Sequence, residues 1–146
     1  MADPYQSGAA GAVKFVAKRS VLASVAVVLQ GTIHNRGLAL IHPQSRCVRE
    51  KEIFEFMVAE DEGAGPGKIA NSVRYLGFAE VAIGGNIRVG DKVLCDGKLL
   101  GWVAGFDETH MPNHLNVALK ASEEAPAIEK TMNLRSILQF IMEENS

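Results

Sequence analysis

The chain has 146 residues, 47% of them apolar and 22% charged, with a formal net charge of −2. That length suits a single domain whose core is large enough to hold together without disulfides or a structural metal. The composition is that of an ordinary globular protein, and the longest apolar run, Val21 to Leu29, is broken by Ser24 and is too short to cross a bilayer.

Residues 1–12 carry Asp3 and many small side chains, with no basic start followed by an apolar run. They are expected to be a flexible tail and not a secretory signal. Residues 14–51 hold seven basic side chains against Glu50 alone, and residues 52–62 follow with five acidic side chains and no basic one. Adjacent blocks of opposite sign suggest pairing across a sheet or between subunits. Only Phe15 adds an aromatic to the basic block, whereas a nucleic-acid surface interleaves exposed aromatics with its cations. Neither a nucleic acid nor a membrane is expected as a partner.

Ser24 to Ile33 is rich in Val and Ile and is expected to form a strand. His34-Asn35-Arg36-Gly37 is then a tight turn into a short strand, Leu38 to His42, which Pro43 ends. Cys47 lies beyond it, far from Cys95 and without CxxC spacing, so both are expected to be reduced thiols of a cytoplasmic protein. Glu52 to Ala59 places Phe54 and Phe56 on one face. Val73 to Ala82 is a long strand with a bulge expected at Gly77. The segment Ile87 to Leu94 bends at Gly90, Asp96-Gly97 is a hairpin turn, and Lys98 to Phe106 returns. In Leu115 to Lys120, Leu115, Val117 and Leu119 point the same way.

These segments make the chain mostly β, and glycines recurring through its second half suit the bends of a barrel. We expect a small closed or semi-closed β-barrel of about six to seven strands over residues 13–121, with one C-terminal α-helix. Residues 122–146 carry the helix, because Ile128, Met132, Leu134, Ile137, Leu138, Ile141 and Met142 form a helical stripe. It packs either on one end of the barrel or on a partner subunit.

Three places could carry chemistry. Glu60 to Ser72 (EDEGAGPGKIANS) is a Gly-rich loop containing Lys68. A phosphate-cradling loop needs GxxxxGK followed by Ser or Thr. Here Gly63 and Gly67 are one residue too close, and Ile69 replaces the hydroxyl. The loop is either surface covering or a lid over a small-molecule site, with Lys68 and Arg74 as contacts to an anion. Asp107 to His114 offers two carboxylates and two imidazoles. Asp107, His110 and His114 are a candidate metal-ligand set, although Pro112 prevents the helix on which His110 and His114 would share a face. The bland reading is a polar turn. His34 and His42 have the chemistry of a general acid or base but no partner nearby in sequence. Trp102 and Tyr75 are expected in the core or the barrel wall.

Residues 76–120 contain Ala82-Ile83-Gly84-Gly85-Asn86-Ile87-Arg88-Val89-Gly90-Asp91, then Val103-Ala104-Gly105-Phe106, then His114-Leu115-Asn116-Val117-Ala118-Leu119. This stretch resembles the sorbitol/glucitol-type IIA proteins of the sugar phosphotransferase system, which are small β-barrel phosphocarriers. The resemblance covers about a third of the chain and implies a barrel. In that family a histidine-bearing stretch precedes the Gly-x-Ile-x-x-Gly-Asp segment. The equivalent here, Leu76-Gly77-Phe78-Ala79-Glu80-Val81, has no histidine, so phosphoryl transfer at that position is impossible. The same Gly-Asp signature also looks like the small, non-catalytic subunit of 2-amino-4-oxopentanoate thiolase.

The leading expectation is an accessory module that binds a small molecule or a partner protein without catalysis, uses no cofactor, and forms a homo-oligomer. Its site would combine Lys68, Arg74, Asp107, His110 and His114 at the mouth of the barrel. The alternatives are a metal-dependent enzyme built on Asp107, His110 and His114, and a structural subunit assembled through the C-terminal helix.

Overall fold

The computed structural model describes residues 13–143. The tail expected over residues 1–12 and the last three residues of the chain lie outside them. Seven strands close into a barrel in the order β1 (Val21–Val28), β12 (Ile137–Ile141), β9 (Lys92–Cys95), β10 (Lys98–Asp107), β11 (Leu115–Ala121), β5 (Ile53–Ala59) and β7 (Val73–Ile83), with β7 pairing back onto β1. Closure removes the free edges of the sheet. Every pairing in the barrel is antiparallel except β11 with β5.

Alternation builds the interior. Phe54, Phe56 and Val58 enter from β5, Leu115, Val117 and Leu119 from β11, and Leu138 and Phe140 from β12. Phe54 meets the edges of Phe56 and Phe140, with ring centroids 6.3 and 5.8 Å away. The Asp96-Gly97 turn has positive φ at both residues, 51° and 81°, which the twist of a two-residue hairpin requires. At Gly77 the pairing with β5 slips: Phe56 faces Gly77 and Met57 faces Tyr75, so Leu76 is the extra residue of the expected bulge.

The outer wall over β5, β7 and β11 is itself covered. Strands β3 (Leu38–Ala39) and β6 (Ile69–Ala70) pair with each other and bury Leu38, Leu40 and Ala70 against Met57, Ala59, Val73 and Ala118. This small second core explains why β5 is buried on both faces beyond Ile53. Further short strands are β2 (Thr32–Ile33), an extension beside β7, and β4 (Ser45–Val48) with β8 (Gly85–Arg88). The single long strand expected over Ser24 to Ile33 is therefore two, with β1 ending at Val28.

The C-terminal helix is shorter than the stripe implied. Helix α1 spans Ala125–Thr131, with Pro126 in its first turn, and places Ala125, Ile128 and Met132 in the barrel core. Asn133 ends the helical run: its Oδ1 accepts the Arg135 N–H at 2.8 Å, a local bond that competes with helix continuation. Ile137 to Ile141 is a strand, not helix, because Leu138 and Phe140 alternate inward and pair with β1 and β9. The charge blocks also pair differently from expectation. Lys18 reaches buried Asp91 at 2.8 Å, Arg46 reaches Glu108 at 3.2 Å, and Glu60 pairs with Arg74.

Candidate functional site

Arg74 sits on β7 opposite Val58 of β5, on the inward-facing side of the sheet at the end of the barrel that α1 covers. Its Nε donates to Glu129 Oε1 at 2.9 Å and its Nη2 to Glu129 Oε2 at 2.8 Å, a two-pronged bond that ties strand to helix. Nη1 donates to Glu60. The Glu129 bond is the largest influence raising the Arg74 pKa above the ordinary arginine value. Arg74 borders two cavities. The larger, about 850 Å³, is an open groove between the Val28–Gly31 connection and α1. Leu29, Leu76, Pro126 and Met132 give it apolar walls, while Gln30, Tyr75, Glu129 and Lys130 add polar groups. The smaller, about 400 Å³, lies between residues 58–64 and Lys120-Ala121.

The Glu60 to Ser72 segment is bonded into the wall of the protein. Asp61 Oδ1 accepts the Asn71 and Ser72 N–H groups at 3.0 and 2.7 Å, closing its neck. Those two bonds hold the Asp61 carboxyl below the usual range. Leu40 and residues 67–68 exchange backbone bonds, and Ala64 packs on the second core. Lys68 is exposed and borders neither cavity.

Asp107, His110 and His114 form a separate constellation. Asp107 is 1% exposed. Its Oδ1 accepts from Thr109 N and Asn116 Nδ2 at 2.9 and 3.1 Å, and its Oδ2 from Thr109 Oγ1 at 2.8 Å. That carboxylate shapes the turn, and among the described residues no hydrogen bond joins it to either imidazole. His110 is exposed, with its ring 5.2 Å from that of His114 and its Nε2 3.5 Å from Arg36 Nη2. Arg36 Nε in turn donates to Tyr75 Oη at 2.7 Å. His114 stands edge-on to Phe78, with Nδ1 3.1 Å from Asn113 Oδ1 and Nε2 3.4 Å from Glu55 Oε1.

Residues 36–42 are bonded to the Gly-rich segment through Asn71, Gly67 and Lys68 and to β10 by Ile41 N to Phe106 O at 2.8 Å. Among the described residues, no hydrogen bond or ion pair joins Lys68 or Arg74 to Asp107, His110 or His114. Among the described residues, no three His, Cys, Asp or Glu side chains converge as metal ligands, so the set Asp107, His110 and His114 does not form one. His34 Nδ1 lies 3.4 Å from Ser72 Oγ, but that hydroxyl donates to Glu60 Oε1 at 3.2 Å. The acid is on the serine and not on the histidine, which is the wrong order for activating a nucleophile. His42 packs its ring against Gly67. Sequence reasoning missed Glu55, Asn116, Arg36, Tyr75 and Glu129. Of these, Tyr75 was expected in the core or the barrel wall and not in a site.

No helix among the described residues is long and apolar enough to cross a membrane. No curated protein and no solved structure matches the chain. The model of a family of unknown function (DUF6917) matches residues 15–141, and the chain belongs to that family.

Proposed function

We propose that this protein is a non-catalytic binding module that takes a small amphipathic molecule into the groove between the Val28–Gly31 connection and α1. One observation carries the reading. The groove, at about 850 Å³, combines apolar walls with a few polar groups and is bordered by the two-pronged Arg74–Glu129 bond. Small-molecule sites have that size and that mixture. Arg74 and Glu129 are engaged with each other, which favours shaping a site over performing acid–base chemistry in it.

The test is a thermal-shift and two-dimensional NMR screen of the full chain against small carboxylates, amines and uncharged amphipathic metabolites. A binder is expected to raise the melting temperature and to shift the amides of Leu29, Gly31 and Lys130. Gln30→Trp, which fills the groove from an exposed position, should remove both effects. Absence of any binder, or binding that survives Gln30→Trp, would overturn the proposal.

A further inference from the structure

The geometry points to a second site, for a divalent transition-metal ion, formed on the outer wall of the barrel by Glu55 Oε1, His114 Nε2 and Asn116 Oδ1. Asn116 is the register partner of Glu55 across the parallel β5–β11 pair, and His114 precedes it by two residues. Alternation places the two β11-side residues on one face, beside Glu55.

The tautomer of His114 comes first. Its Nδ1 lies 3.1 Å from Asn113 Oδ1. An amide oxygen only accepts, so Nδ1 carries a hydrogen, and Nε2 is the ring nitrogen that can offer a lone pair. Histidines that bind metals are commonly held this way, by an oxygen on the other ring nitrogen. Nε2 lies 3.4 Å from Glu55 Oε1 and, among the described residues, has no hydrogen-bond partner. A positive centre between these two atoms, a proton or a metal ion, would hold them together. Zinc bonds of about 2.1 Å at the tetrahedral angle hold their donor atoms about 3.4 Å apart.

Asn116 supplies the independent observation. It is 1% exposed, and its buried Oδ1 has no hydrogen-bond partner among the described residues. Its Nδ2 is bound to Asp107 on the β10 side, which leaves Oδ1 as the free branch of the amide, on a residue whose register partner is Glu55. A buried carbonyl oxygen without a partner is destabilising, and a cation would relieve that cost. One nitrogen and two oxygen donors suit zinc or cobalt better than calcium or magnesium, which prefer oxygen alone. Three protein donors leave a fourth position for water. His110 is not a ligand here, because its Nε2 faces the Arg36 guanidinium. Asp107 and Thr109 position the Asn116 amide without touching the ion.

The experiment is calorimetric titration of the full chain, stripped with a chelator, using zinc chloride, with cobalt(II) absorption as a report of tetrahedral coordination. One ion per chain is expected. Glu55→Gln and His114→Gln should each weaken binding at least tenfold while circular dichroism stays unchanged. His110→Gln should leave it intact, as should Gln30→Trp, which separates this site from the groove. No heat above background would overturn the assignment. So would binding that survives Glu55→Gln, equal loss in His110→Gln, or NMR showing both ring nitrogens of His114 protonated in the presence of zinc.

Discussion

Two buried groups show how far side-chain chemistry depends on packing. Cys95 points into the barrel and is 1% exposed, and Cys47 is exposed. Burial, then the charge of Asp96, pushes the Cys95 thiol from 9.0 up to about 11, against a bond from Ser136 that lowers it. A raised pKa means that the fold holds the neutral thiol. Its contribution is complete below 9.0 and is lost as the pH rises through about 11. A disulfide reagent at pH 8 should therefore label one thiol, Cys47, in the native protein and a second only after unfolding; two native equivalents would contradict this. Lys18 and Asp91 are 7% and 1% exposed, and Asp91 also accepts the Arg88 N–H. Removing one member of a buried pair strands the other, so Lys18→Met should cost about 3 kcal/mol in urea unfolding.

Among the elements, β7 shows that a glycine can be a structural requirement. A Cβ on Gly77 would lie on the Val27 carbonyl oxygen of the neighbouring strand, and Gly101 stands in the same relation to Lys120. Backbone cannot yield as a side-chain tip can. Gly77→Ala should destabilise by about 1–3 kcal/mol and raise amide exchange at Val28 and Leu29, beside the groove. Full protection there would show that the bulge tolerates a methyl group. The C-terminal elements make the complementary point. Residues 128–142 satisfy a helical spacing, yet Leu138 and Phe140 also satisfy the two-residue period of a strand. Periodicity alone did not separate the two, and the gap between β1 and β9 did.

For the molecule as a whole, that gap changes what truncation should do. Had residues 128–146 been an assembly helix, deleting them would release folded monomers. With β12 in the barrel, deletion after Ser136 exposes the edges of β1 and β9 and uncovers Phe54, whose ring packs on Phe140. The truncated chain should lose its β-sheet circular dichroism and aggregate in light scattering. A folded truncated monomer would show that six strands suffice.

Sequence by itself determined the elements whose signals are local. The Asp96-Gly97 turn, the inward Leu115-Val117-Leu119 face, the bulge at Gly77 and the Phe54-Phe56 face were legible because each rests on turn chemistry or on alternation within a few residues. It also singled out Arg74 and His114, by residue type. Only the tertiary structure decided what they meet. Glu129 reaches Arg74 from 55 residues away, and the register of the parallel β5–β11 pair sets Glu55 beside Asn116 and next to His114. It also engaged the Asp107 carboxylate with Thr109 and Asn116. Barrel closure joins strands far apart in the chain, and no local pattern encodes which strand will lie beside which.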